Sequence, residues 1–102
     1  MRVIVKVQVD VEKGNEAIKN GKLPMIMKAF HEKWKPEASY FISEDGMRTA
    51  LIVINMADTA QIPSIAEPFF MGLNADVTLI PAMNLEDLGR GLPLAEGDFS
   101  KW

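Results

Sequence analysis

Valine occupies every second position near the start of the chain, in the stretch MRVIVKVQVDV. The positions between the valines are mostly polar and include Arg2, Lys6 and Gln8. A period of two places alternate side chains on opposite faces of a strand, and β-branched residues suit its pleated surface. The pattern therefore predicts a first strand with one apolar face.

The region from residue 12 to 35 has a helical period instead, with residues recurring at steps of three and four. These residues are Ile26, Ala29, Phe30, Lys33 and Trp34. The segment NGKLP (20–24) interrupts the region, because glycine weakens a helix and proline fits best in a first helical turn. We expect a short helix, a break, and then a main helix from Pro24 with one stripe facing a sheet.

Two further strands are predicted in ASYFIS (38–43) and RTALIVINM (48–56). The residues between them, EDGM, contain Asp-Gly, which is favoured in two-residue hairpin turns because both positions tolerate a positive φ. Both faces of the third strand are apolar. We therefore expect a β-hairpin whose third strand is covered on both sides.

A second helical stripe follows a segment in which Asp58 or Thr59 can cap a helix. Its members are Ile62, Ile65, Ala66, Phe69 and Phe70. Pro68 removes one hydrogen bond, clashes with the Ser64 carbonyl and disfavours helical φ and ψ at Glu67. Since Glu67 and Pro68 both lie off the stripe, we expect an outward kink or a break at Glu67 that leaves the core intact.

The fourth strand is predicted in ADVTLIPAM (75–83), where Pro81 requires an edge position because it cannot donate to a sheet ladder. Asn84 can cap a short last helix with acidic residues in its first turn. We interpret residues 1–92 as the folded domain. The segment GRGLPLAEGDFSKW (89–102) looks too polar and too rich in glycine for a regular element. We expect the tail, assigned to residues 93–102, to dock through Phe99 and Trp102.

The resulting order, β-α-β-β-α-β, predicts an α+β fold of the ferredoxin-like type, with a four-stranded antiparallel sheet in the spatial order 4-1-3-2. Both helices would then cover the same sheet face. The other face also carries apolar residues on the third and fourth strands, and such a surface usually marks an interface. We expect a homodimer that forms through this open sheet face.

Composition narrows the possible functions. The chain has 102 residues, a net charge of −3 and no cysteine, and it has no basic stripe of the kind that nucleic-acid binding requires. No apolar run approaches the roughly 18 residues of a membrane span, and Lys6 and Gln8 interrupt any secretory signal. His31 is the only histidine, so we expect neither a metal site nor a cofactor. We expect a soluble, cytoplasmic protein without nucleic-acid or membrane partners.

The strand and helix order, the two-sided sheet and the segment IPAM followed by NLEDL resemble the dimeric α/β-barrel superfamily of ferredoxin-like proteins. More narrowly, GNEAIKNG, KPEASYF, DGMRTAL and IAEPFFMGLNADV are similar to a family of small bacterial proteins of unknown function. The superfamily includes cofactor-independent monooxygenases, isomerases, haem-degrading and haem-binding enzymes, and stress-responsive proteins. The resemblance implies a dimer but no particular reaction, and no Asn–Trp–His set of the haem-degrading kind is recognisable.

Two residues are candidate catalytic groups. Histidine suits either a general base or an axial haem ligand, so His31 is a candidate for both roles. Glu67, beside two phenylalanines, can act as a partly desolvated base. If the helix flanks that carry them face each other, both residues border one cleft. The alternatives are that His31 is an ordinary boundary residue and that Glu67 is a solvated residue at the kink. The candidate ligand-binding residues are Trp34, Tyr40, Asn55, Phe70 and Met71.

Two classes of function remain open. The first is a non-catalytic dimer that binds a small apolar or amphipathic molecule, or that only assembles. The second is a cofactor-independent enzyme, similar to a monooxygenase or an isomerase, that acts on small aromatic or carbonyl compounds with His31 or Glu67 as its base.

Overall fold

The valine-rich start of the chain forms an inner strand of a four-stranded antiparallel sheet in the computed structural model, which describes residues 1–99, with side chains to residue 97. The elements are β1 (Arg2–Val9), α1 (Val11–Lys19), α2 (Lys22–Trp34), β2 (Ala38–Glu44), β3 (Met47–Asn55), α3 (Ile62–Leu73), β4 (Asp76–Pro81) and α4 (Leu85–Phe99). The strands lie in the order β2-β3-β1-β4, which is the predicted order 4-1-3-2 in reverse. The predicted ferredoxin-like α+β fold is confirmed.

The helices cover the valine face of the sheet. Val3, Val5, Val7 and Val9 are at most 3% exposed, and Val5 pairs with Ile52 of β3. The alternate residues of β1, from Arg2 to Gln8, are only half-buried because no helix covers their face. The sequence did not decide which face of β1 the helices cover, and the structure shows that it is the valine face.

Helices α2 and α3 contact each other through aromatic residues over the sheet. Phe30 and Phe69 are buried, with ring centroids 4.9 Å apart. Gly72 lets α2 approach α3 closely, since a Cβ at this position would lie 2.5 Å from Cδ1 of Ile26. These contacts complete a core of aliphatic and aromatic side chains between the helices and the sheet.

The predicted helix break at Gly21 and the predicted hairpin turn at Asp45-Gly46 are confirmed. Gly21, with a φ of 77°, separates α1 from α2. Asp45 and Gly46 have φ values of 54° and 77°, as a two-residue hairpin turn requires, and they join β2 to β3. Pro81 also lies on an edge strand, because β4 is at one end of the sheet.

Helix α3 continues through Pro68, so the alternative of a break at Glu67 is wrong. Glu67 and Pro68 are exposed, as predicted from their place off the stripe, and water can hydrogen bond to the Ser64 carbonyl on this side. The buried stripe consists of Ile65, Ala66, Phe69 and Leu73. It is narrower than predicted, because Ile62 and Phe70 at its margins are 39% and 42% exposed.

The expectation of an irregular segment from Gly89 onward is wrong for residues 89–99, since α4 extends from Leu85 to Phe99 and includes Pro93. Good helix formers, namely leucine, alanine and glutamate, separate the glycines in this segment. The predicted cap is confirmed, because Asn84 Oδ1 accepts a hydrogen bond of 2.8 Å from the backbone N–H of Asp87. The expected docking of the Phe99 and Trp102 side chains falls outside the described residues.

Helix α4 carries four exposed leucines, of which Leu85, Leu88 and Leu92 share one side of the helix. Leu85, Leu88, Leu92 and Leu94 are all exposed, and an ion pair between Arg2 and Asp87 holds the start of the helix. The radius of gyration is 16.6 Å, against about 13 Å for a compact chain of this length, and we attribute the difference to α4. Within residues 1–99, no helix has both the length and the apolar character needed to cross a membrane.

Candidate functional site

A cleft of about 570 Å³ lies between α1 and α2 on one side and the β2–β3 hairpin on the other. Its apolar wall includes Val7, Leu23, Met27, Phe41 and Ala50. Its polar lining includes the side chains of Asn15, Ser43 and Arg48. The lining is therefore amphipathic.

The cleft exists because the edge strand β2 is incompletely covered by helices. Phe41 pairs with Ala50, and this register places its side chain on the face that the helices cover elsewhere. Phe41 is nevertheless 61% exposed, whereas Ala50 is buried. An apolar side chain on the inner face of the sheet thus remains accessible from solvent.

The register of the strands places the polar residues of the cleft next to one another. Ser43 pairs with Arg48, and Arg48 pairs in turn with Val9 of β1, so both polar side chains lie on the helix face. The Arg48 guanidinium donates a hydrogen bond of 2.9 Å from Nη2 to Oδ1 of Asn15 on α1. These contacts concentrate polar groups where the hairpin meets α1.

Gly14 allows the Arg48 side chain to lie against α1. Gly14 is a buried residue inside this helix, and a Cβ at this position would lie 2.7 Å from Nη1 of Arg48. The sequence interpretation missed both Gly14 and Arg48. A glycine inside a predicted helix was the available signal. However, Arg48, which contacts Gly14 in space, is 34 positions away in the sequence, and only the fold brings the two residues together.

His31 does not line this cleft, although it is next to it in space. Its Nδ1 lies 2.7 Å from the Met27 carbonyl oxygen, and its Nε2 lies 2.7 Å from Oγ of Ser39. A carbonyl oxygen can only accept, so Nδ1 donates the hydrogen bond to Met27. His31 thus connects α2 to β2, and its ring centroid is 6.2 Å from that of Phe41.

Glu67 is exposed on α3, and no hydrogen bond or ion pair joins it to His31 among the described side chains. The structure places His31 against β2 and Glu67 on the outer side of another helix. The cleft lining includes neither residue, so the catalytic roles of His31 and Glu67 stay predictions from the sequence.

The five candidate ligand-binding residues lie apart from the cleft. Trp34 is half-buried against the core, and Tyr40, 63% exposed, points from β2 to the open sheet face. Asn55 Oδ1 accepts a hydrogen bond of 2.7 Å from the N-terminal ammonium group. Phe70 and Met71 are exposed on α3. Their assignment as binding residues also stays a prediction.

A charged cluster joins β1 to the start of α4. Arg2 pairs with Glu37 and with Asp87, and Asp87 also pairs with Arg90. The hydrogen bond with Glu37 raises the pKa of Arg2, and the bond from the Asn84 backbone N–H lowers the pKa of Asp87. Because the charges of this cluster compensate one another, we interpret it as an anchor for α4.

The described residues contain no group of three or more His, Cys, Asp or Glu side chains that can hold a metal ion. Comparison of the chain with protein-family models, curated proteins and solved structures gives no match. The structure supports a ferredoxin-like α+β fold, and any assignment of function depends on the cleft itself.

Proposed function

We propose that the protein binds a small amphipathic molecule in the cleft between α1, α2 and the β2–β3 hairpin. The observation that supports this proposal is the combination of an accessible apolar wall with a localised group of polar side chains. Small-molecule sites are typically concave and mostly apolar, with a few polar groups that orient the ligand.

The size of the cleft supports a ligand of modest dimensions. Its volume of about 570 Å³ falls within the range of about 300–1,000 Å³ that is common for ligand pockets. Met27 adds an unbranched, polarizable side chain that can adapt to ligands of different shape. We therefore propose a site for an aromatic or short aliphatic body with one polar end.

Binding of the neutral dye N-phenyl-1-naphthylamine tests this function. We expect the dye to fluoresce on binding to the intact protein and Met27→Trp to reduce its affinity by filling the cleft. The matched control is Met25→Trp, because Met25 is on the same helix, is 61% exposed and lies outside the cleft. Unchanged binding in Met27→Trp, or equal losses in both variants, would contradict the proposed site.

Phe41→Glu provides a second variant if Met27→Trp does not fold. Phe41 is exposed, so we expect the variant to fold, while a carboxylate on the apolar wall lowers dye affinity. Phe70→Glu is the control, since it adds the same charge at an exposed aromatic residue on α3. Circular dichroism and thermal unfolding check that each variant retains its fold.

We further propose that the protein is a homodimer that forms through the open sheet face. This face carries Ile4, Leu51, Val53 and Ile80. The exposed leucines on one side of α4, namely Leu85, Leu88 and Leu92, add a second apolar surface. Both surfaces lack a cover within the described part of the protomer, and a second copy supplies one. A dimeric α/β barrel, with membership of that superfamily and of its small bacterial family, is part of this proposal.

Cofactor-independent catalysis by His31 or Glu67 and a cytoplasmic location stay predictions from the sequence. The proposal requires neither of them.

A further inference from the structure

Arg48 is a cation that lines the cleft beside its apolar wall, and the hydrogen-bond partner of its guanidinium is a neutral side chain. Its guanidinium donates to the amide oxygen of Asn15, and it forms no ion pair with any described carboxylate. By contrast, Arg2 and Arg90 both pair with Asp87, and Lys6 pairs with Glu44. Arg48 therefore retains charge that is not compensated by a described acidic side chain.

The guanidinium is also positioned by its surroundings. Gly14 leaves room for Nη1 against α1, and the bond to Asn15 directs Nη2. A guanidinium has five N–H donors, so donors remain for a ligand after the bond to Asn15. Ser43, which is paired with Arg48 across the hairpin, adds a hydroxyl group on the same face.

We propose that the cleft recognises a small amphipathic carboxylate. The carboxylate binds to the Arg48 guanidinium, with Ser43 beside it, and the apolar body of the ligand lies against Met27 and Phe41. This inference rests on the proposed function, because it specifies the class of ligand for the same cleft. The planar fork of arginine matches the two oxygens of a carboxylate and gives both orientation and affinity.

Nearby charges favour a singly charged head group. Glu12 and Glu16 lie on α1 on either side of Asn15 in sequence, and together with Asn15 and Lys19 they line a neighbouring surface depression whose side chains carry a net negative charge. A phosphate dianion would be repelled by these two carboxylates with only Arg48 in the cleft lining to compensate. A carboxylate brings one negative charge, which Arg48 alone neutralises.

Displacement of N-phenyl-1-naphthylamine by octanoate, 1-octanol and octyl phosphate tests the inference at pH 7. For the unmodified protein, we expect octanoate to bind about tenfold more tightly than 1-octanol, as one hydrogen bond to a charged group allows. In Arg48→Gln, we expect this preference to disappear while the affinity for the dye and for 1-octanol is unchanged. Arg90→Gln is the control, since Arg90 is an exposed arginine on α4, away from the cleft.

The outcomes separate the two proposals. If the dye binds in the cleft but octanoate and 1-octanol bind equally, or if Arg48→Gln keeps the preference, the carboxylate inference is wrong and the proposed function stands. Tighter binding of octyl phosphate than of octanoate would also overturn it. If no dye binds, or if Met27→Trp leaves dye binding unchanged, the proposed function fails and the inference fails with it.

Discussion

Gly14 and Arg48 show how single residues connect the fold to the candidate site. Alanine is more favourable than glycine in a helix interior by about 1 kcal/mol, so the glycine in α1 has a local cost. It also provides the space that the Arg48 guanidinium occupies. We therefore interpret Gly14 as a residue that positions the guanidinium beside the cleft.

Gly14→Ala should weaken carboxylate binding without unfolding the protein. The new methyl group displaces the guanidinium, so we expect the preference for octanoate over 1-octanol to fall while dye binding is retained. The helix-propensity gain of about 1 kcal/mol offsets the repacking, and the free energy of unfolding should change by less than about 1 kcal/mol. Dye displacement and urea denaturation measure the two effects.

Gly89→Ala is the matched control, because a Cβ at this glycine in α4 meets no atom within 4 Å. It should leave the octanoate preference unchanged. A destabilisation of more than about 2 kcal/mol in Gly14→Ala would show that the Arg48 side chain cannot move, which contradicts this interpretation.

At the scale of elements, local sequence signals predicted most of the fold. The alternating valines identified β1, and Gly21 and Asp45-Gly46 marked a helix break and a hairpin. These signals act through nearest neighbours, which is why sequence alone reveals them. The cleft depends on contacts between distant parts of the chain, such as those of Arg48 with Gly14 and Asn15 on α1, and no local pattern encodes them.

Two prolines that lie inside continuous helices account for the wrong predictions about secondary-structure elements. Pro68 lies within α3 and Pro93 within α4, and in both cases the helix continues. Pro68 is on the exposed side of α3, where solvent can replace the lost hydrogen bond. The sequence interpretation placed Pro68 off the buried stripe but left a break at Glu67 open, and the continuous helix α3 decides between the two.

Pro68→Ala should raise the free energy of unfolding by about 1 kcal/mol, because the new N–H can bond to the Ser64 carbonyl, although the unfolded chain gains entropy. Pro63→Ala is the control, since Pro63 is in the first turn of α3, where no such bond is lost. Urea denaturation provides the comparison. A loss of more than about 2 kcal/mol in Pro68→Ala would mean that the proline conformation is structurally required.

Acid should release the start of α4 from β1. The pKa of Asp87 is lowered, first by the hydrogen bond from the Asn84 backbone and also by Arg90 and Arg2. A carboxylate with a lowered folded pKa stabilises the fold above its unfolded pKa of about 3.9. This stabilisation is lost as the pH falls from about 4 through the lowered pKa of the folded state.

Hydrogen exchange of α4 amides as a function of pH measures this release. In the unmodified protein, we expect protection of the first turn to fall below about pH 4, after correction for intrinsic exchange rates. Asp87→Asn should show reduced protection already at neutral pH and a weaker pH dependence. Equal profiles for the two proteins would contradict the role assigned to Asp87.

For the whole molecule, the open sheet face and the leucines of α4 require an explanation that one protomer does not supply. The sequence suggested this interface, because both faces of the third strand are apolar. It did not reveal the extent of α4, since the glycines and Pro93 obscured its helical character. The proposed dimer accounts for both surfaces at once.

Light scattering coupled to size exclusion should give twice the chain mass of 11.4 kDa at micromolar concentration. Leu51→Lys places a charge on the open face and should give monomers. Met71→Lys is the control, because Met71 is 80% exposed on α3, on the opposite side of the sheet, and it should remain dimeric. A monomeric, non-aggregating unmodified protein would contradict the dimer.

The central claim is that a small amphipathic molecule binds in the cleft beside Met27, and methyl NMR of the intact protein tests it most directly. The seven methionines provide separate probes when their methyl groups are labelled with carbon-13. On addition of octanoate, we predict a shift of the Met27 methyl resonance and a nuclear Overhauser effect from it to the ligand chain. The resonances of Met25 and Met71, which lie outside the cleft, should not change. An unchanged Met27 signal, or ligand contacts at Met25 or Met71 instead, would contradict the account.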